Sequence, residues 1–159
     1  MKMKKIFLIV NLFIIIFTPS ISFGNVIDKL NEVGKFTKFN ETLNKSGLNE
    51  DLKGNGPFTV FAPLDDAFAA ISAKTYYGLL SEENKDKLIK ILGRHIFSKK
   101  ITSSEINGDI NLKAINGEEI KIKKVNGIVY INEAEVVTAD IEVSNGVIHF
   151  INRVLQPLN

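Results

Sequence analysis

The residues whose types lend themselves to chemistry in this chain are two histidines, His95 and His149, and three adjacent carboxylate pairs, Asp65-Asp66, Glu82-Glu83 and Glu118-Glu119. Histidine titrates near neutral pH and is a frequent metal ligand, so each position poses a question of acid–base or ligand chemistry. A zinc site takes three or four ligands from Cys, His, Asp and Glu. The chain has no cysteine, so both histidines and a carboxylate would have to converge from distant positions, and no metal is expected. Neighbouring carboxylates on a helix or strand point in different directions. The three pairs therefore read as solvated or capping groups, not as an acid and a base facing one substrate. No G-x-S-x-G, H-E-x-x-H or phosphate-binding loop occurs, and "GNGPF" at 54–58 lacks the preceding strand and the spacing of a dinucleotide fingerprint. The expectation is a protein that is not an enzyme and carries no cofactor.

The elements that hold the histidines account for them better. In "NGVIHFINRVLQP", residues 145–157, alternation puts Val147, His149 and Ile151 on one face of a strand and Ile148 and Phe150 on the other. A strand apolar on both faces belongs inside a sheet. His149 is then expected to be buried and neutral, with one ring nitrogen donating, the other accepting, and Thr59 or Asp140 as its partner. His95 ends "SEENKDKLIKILGRHI", in which Ser81 is a candidate N-cap and Glu82 and Glu83 suit the positive end of a helix. Leu88, Leu92, His95 and Ile96 share one helical face, so this histidine also points at the core.

Helical spacing runs through the first half. A short helix is expected over Val26 to Val33, and Phe36, Phe39 and Leu43 form a stripe that Gly47 can end as a left-handed cap before Leu48. In the second half, Asn-Gly pairs beginning at 107, 116, 126 and 145 separate short alternating segments, and such pairs favour tight hairpins because both residues tolerate positive φ. In "EEIKIKKVNGIVYIN", Ile120 and Ile122 line one side of a strand that turns back at Asn126-Gly127. Residues 60–62, "VFA", supply a strand from far upstream. Helices grouped before strands, without regular βαβ alternation, predict an α+β domain with helices packed on a mainly antiparallel twisted sheet.

Residues 1–24 have the form of a secretory signal. Lys2, Lys4 and Lys5 precede the apolar run Ile6 to Phe17, and Pro19 leads into small residues suited to cleavage after Ser22 or Gly24. That run falls short of the roughly 18 apolar residues of a spanning helix, so no membrane span is expected after cleavage. Removing those three lysines from the 20 Lys and Arg leaves 17 against 18 Asp and Glu, a net charge of −1. No cluster of Lys and Arg interleaved with aromatics remains, which argues against nucleic acid as a partner. Residues 25–159 suffice for a single domain with an ordinary hydrophobic core. The wealth of Ile, Lys and Asn leans towards a bacterial source, and the product is expected in the periplasm or outside the cell, associated with its surface.

Two segments, "GPFTVFAPLDDAF" at 56–68 and "NGVIHFINRVLQP" at 145–157, together resemble the two signatures of the fasciclin domain family, in the family's order and spacing. "GKFTKFNETLNKSGLNEDLKGN", before the first of them, resembles the helices that lead into it. The signature positions, read as mainly structural, are Thr59, Val60, Phe61, Ala62, Pro63, Asp65, Ala67 and Phe68 upstream, then Asp140, Asn145, Gly146, Ile148, His149, Val154, Leu155 and Pro157. The family commonly has Thr where this chain has Leu64, and Asp65 is the candidate to replace the lost hydroxyl cap. Animal members carry a Tyr-His pair, associated with integrin binding, near "GRHIF"; here Arg94 precedes His95, so integrin recognition is not carried over.

The resemblance implies an exported, non-enzymatic module that binds a surface or matrix protein or a polysaccharide and serves adhesion. Tyr76, Tyr77, Arg94 and His95 are the candidate partner contacts. The alternative is a binder of small apolar ligands outside the cytoplasm, with a pocket lined by some of Phe36, Phe39, Phe58, Phe61 and Phe68.

Overall fold

The computed structural model describes residues 23–156; residues 1–22 of the expected export signal, and Pro157 of the second signature, lie outside them. The described chain opens with a cap. Asn25 accepts the Asp28 amide on its side chain while the Asp28 carboxylate accepts the Asn25 amide, which starts helix α1 (Val26–Val33), and Gly34 ends it at φ 67°. Helix α2 (Thr37–Ser46) stops at Gly47, left-handed at φ 86°. A single turn, α3 (Leu48–Asp51), leads to strand β1 (Phe58–Pro63), a 3-10 segment over Asp65–Ala70, and helices α4 (Ala73–Leu79) and α5 (Lys85–Gly93). Ser81 does not cap α5: its hydroxyl donates to the Gly78 carbonyl, closing the end of α4, and a 3-10 turn over Glu82–Asn84 separates it from α5.

Six strands follow, namely β2 (Ile96–Phe97), β3 (Asp109–Lys113), β4 (Glu119–Val125), β5 (Ile128–Ile131), β6 (Ala134–Val143) and β7 (Gly146–Ile151). With β1 they form a seven-stranded sheet in the order β2-β1-β7-β6-β5-β4-β3. Every neighbouring pair is antiparallel except β1 and β7, which run parallel from Phe58 against Gly146 to Pro63 against Ile151. The sheet curls, and the Ile115 amide beyond β3 donates to the Ile96 carbonyl of β2, so the far edge returns to the first and nearly closes a barrel.

The curl gives the sheet two packed faces. Leu30, Phe36, Phe39 and Leu43 from the helices meet Val60, Ala62 and Ile148 on the outer face. Phe61, Phe97, Ile122, Ile131 and Ile151 fill the inner one. Adjacent residues of β1 and β7 thus serve different clusters, which is why both strands read as unbroken apolar runs. Each such side chain contributes roughly 1.5–3 kcal/mol of burial.

The Asn-Gly pairs do not act alike. Asn126 and Gly127 have φ 52° and 82° and close the β4–β5 hairpin, and Gly117 takes φ 87° in the β3–β4 loop. Asn107-Gly108 leads into β3 without making a hairpin. At the β6–β7 connection Val143 pairs with Gly146, so the turn is Ser144-Asn145, and Gly146 already belongs to the strand.

Candidate functional site: the signature segments and the surface they hold

The two signature strands lie side by side at the centre of the sheet, and their polar residues tie the segments around them together. His149 is 1% exposed and its ring stacks on Phe61 at 4.9 Å between centroids. Its Nδ1 accepts the Asp140 amide at 3.2 Å, which leaves the proton on Nε2, 2.8 Å from the Ile101 carbonyl. The reason lies in β6. Its register against β7 slips between Val136 and Thr138 and again between Thr138 and Ile141, and Asp140 has φ 62°. Such a bulge leaves an amide without a ladder partner, and the imidazole supplies the acceptor.

Of the two expected partners, Asp140 reaches His149 through its backbone amide; its carboxylate stands 4.0 Å from Nδ1 and is engaged by the amide and hydroxyl of Ser103. Burial pushes that carboxyl up, but the Ser103 hydrogen bonds outweigh it and hold the group below its usual range. Thr59 makes no hydrogen bond to the ring. Its hydroxyl donates to the Lys99 carbonyl and accepts the Ile101 amide, so Thr59, His149 and Asp140 grip the 99–103 segment at successive points. Burial lowers the His149 pKa, against the opposing pull of Ile101 and Asp140.

Asn145 is a second tie. Its Oδ1 accepts the Val26 amide at the start of α1, and its Nδ2 donates to the carbonyls of Leu52 at 2.7 Å and Gly54 at 2.8 Å. Its own carbonyl accepts the Phe58 amide. At Gly146 a Cβ would run into the Phe58 backbone carbonyl, so only glycine allows β1 and β7 to approach this closely. Asp65 also caps a helix, though not the expected one. The segment after Leu64 has no side-chain cap, and the Asp65 carboxylate instead accepts the Thr37 and Lys38 amides at 3.2 and 2.8 Å, capping α2 from across the fold. The physical cause is reach: the strand end sets Asp65 beside the open first turn of α2, whose own N-cap position, Phe36, has no side-chain acceptor.

His95 sits in the other core cluster, fully buried and tilted against Phe39. Its Nδ1 lies 2.9 Å from the Ile91 carbonyl, and its Nε2 accepts the Leu155 amide at 3.0 Å. An amide can only donate, so the proton is on Nδ1, the opposite tautomer to His149. Burial, with Arg94 adding to it, lowers the His95 pKa to about 4. Both nitrogens of both rings are engaged, and among the described residues no group of three His, Asp or Glu side chains is placed to hold a metal.

The candidate partner contacts separate by exposure. Arg94 is buried and pairs in two-pronged fashion with Glu118, Nε to Oε2 at 2.6 Å and Nη2 to Oε1 at 2.9 Å, which holds the Glu118 carboxyl below its usual range. Tyr76 is buried, donates to Glu41 at 2.6 Å and has its pKa raised by burial and that carboxylate. Tyr77 is 68% exposed. Near Tyr76 a cavity of about 220 Å³ opens between α2, α4, α5 and the C-terminal segment, lined among others by Phe39, Phe68, Tyr76, Leu88, His95 and Val154. Phe36, Phe58 and Phe61 do not line it.

A model of the fasciclin domain matches residues 34–157, most of the described chain. The chain belongs to the fasciclin domain family. Protein sll1483 of Synechocystis sp. is 43% identical over 122 residues, which cover 77% of this chain and 67% of that protein. Transforming growth factor-beta-induced protein ig-h3 of Sus scrofa is 34% identical over 134 residues, 84% of this chain but 19% of its own length. Human periostin is 29% identical over 132 residues, 82% of this chain and 16% of the relative, so this chain spans only a small part of the two animal proteins. The fold matches a solved FAS1 domain pair from the insect cell adhesion molecule Fasciclin I with a TM-score of 0.74 at 22% identity, over 86% of this chain and 52% of the other. Of the positions expected as signature residues, Thr59, Asp65, Asp140, Asn145 and His149 carry the hydrogen-bonded ties described above. Sequence patterns announce neither the 99–103 segment and the bulge at Asp140 that complete those ties nor Glu118 as the partner of Arg94.

Proposed function

We propose that the chain is an exported, non-enzymatic adhesion module, with residues 1–24 as its export signal and residues 25–159 as one fasciclin domain that binds a surface or matrix protein or a polysaccharide. The observation that carries this reading is how the polar signature residues are used. His149, Asn145, Asp65 and Thr59 all bond to backbone groups of the fold, so binding is left to the surface the fold presents. Occurrence of the same fold in an insect cell adhesion molecule supports it. Among the described residues no helix is long and apolar enough to cross a membrane. Photo-crosslinking of the purified chain on intact cells, followed by identification of what it captures, is expected to return one saturable class of surface component. Capture of none would overturn the reading.

The cavity of about 220 Å³ favours a second reading, a small apolar ligand held among Phe39, Phe68 and Leu88. A thermal-shift screen of small apolar compounds checks it. A hit that loses its effect on Leu88→Lys, in a variant still folded by circular dichroism, supports a ligand; an unresponsive chain argues for adhesion alone.

A further inference from the structure

Pairing between β5 and β6 breaks off early. β5 meets β6 only at Ile131 against Ala134 and at Tyr130 against Glu135, although β6 runs on to Val143. The two register slips of β6 against β7 fall in the stretch just beyond its last pair with β5. His149 and Ser103 hold that bulge through Asp140, so the separation is built into the fold. What opens is a groove of about 390 Å³ between facing strand edges, lined by Ile128, Val129, Val136, Val137 and Ala139, with Ser103 at its side. Ile128 is 40% exposed and Val137 46%, and Val125, paired with Ile128 across the β4–β5 turn, is 46% exposed.

We infer that this groove docks an extended segment of a partner polypeptide, added as a strand between the edges of β5 and β6. The inference rests on the adhesion reading and narrows the partner to protein. Two features specify that occupant. Strand edges that leave the ladder offer main-chain donors and acceptors, which another main chain satisfies in register. The side chains beside them are branched and aliphatic, matching a strand with an apolar residue at every second position. Charge sets the direction: Glu135 lines the groove and makes no ion pair among the described residues, while Glu133 beside it only approaches Arg153 at 3.9 Å. A basic residue on the incoming segment belongs at that end.

The test pans a library of random nonapeptides on the purified chain and synthesises the enriched sequences. Expected are peptides with period-two apolar residues and a Lys or Arg near one end, whose binding shifts the amide resonances of Ile128, Val129, Val136 and Val137. Affinity falls at least about ten-fold with Val137→Lys or Ile128→Lys, exposed positions at which thermal unfolding is unchanged, and as far when alternate peptide amides are N-methylated. Enrichment of no sequence, binding that survives either lysine or the N-methyl groups, resonance shifts elsewhere, or groove-dependent pairing of two copies of this chain each overturn it. Cell crosslinking undiminished by Val137→Lys would sink the groove and leave the adhesion module standing.

Discussion

The same dipeptide stands at two connections of this sheet and works there in opposite ways. Asn126-Gly127 is exposed, uses positive φ at both residues and joins strands adjacent in sequence. Asn145-Gly146 is buried at the central strands, where the Asn side chain ties α1 and the Leu52–Gly54 segment to the β6–β7 connection and the Gly makes room for the Phe58 carbonyl. One pair does local work through backbone conformation; the other does long-range work through hydrogen bonding and close approach. Stability is therefore expected to concentrate at the centre and to thin out towards β3–β5.

The largest separation comes from glycine. Gly146→Ala must push β1 and β7 apart along a parallel ladder, at about 4 kcal/mol counting overpacking and lost ladder bonds together. Urea denaturation reads it directly, and a loss under about 1 kcal/mol would end the claim of close approach. Asn145→Ala follows at about 3 kcal/mol, because the Val26 amide and the Leu52 carbonyl lose partners in a buried site.

Acid should attack the same central and helical ties. His95 has a folded pKa of about 4 against 6.5 in the unfolded chain, so the unfolded state binds more protons between those values. Its contribution is fully present above pH 6.5 and is lost as pH falls towards 4, by roughly 3 kcal/mol in all. His149, lowered in the same direction, adds to the loss. The midpoint in urea should drop steadily from pH 6.5 to 4.5, and His95→Phe should flatten part of that slope while lowering the plateau. Nitrogen-15 shifts of the rings should show Nδ1–H at His95 and Nε2–H at His149. His149→Ala at neutral pH should cost about 2 kcal/mol through the orphaned Asp140 amide and the lost stacking on Phe61.

This contrast also divides what was legible in the sequence. Local rules carried far: Val26–Val33, the Gly47 cap, the Asn126-Gly127 hairpin and the α+β order all follow from periodicity and turn chemistry. So did the burial of both histidines, since apolar neighbours on both sides leave little alternative. The parallel pairing of β1 with β7 was not legible, because it joins segments separated by most of the domain. Asp65 illustrates the reason. A cap read along the chain points to the next helix, whereas its carboxylate finds α2, which lies before it in sequence and beside it in space. The partner of His149 was half legible: Asp140 is the residue, but a bulge that frees its amide leaves no mark in the pattern.

The smallest effect belongs to the outer turn. Gly127→Ala places a Cβ at φ 82°, where nothing lies within 4 Å of it, so the cost is conformational alone, about 1 kcal/mol. Asn126→Ala, at φ 52°, should cost about as much or less, since asparagine only tolerates the left-handed region better than alanine does. Both values should be unaffected by an Asn145→Ala background, because distant sites without shared partners add. Non-additivity beyond about 0.5 kcal/mol would mean that the outer hairpin and the central strands form one cooperative unit after all, and the local reading of the exposed turn would have to give way.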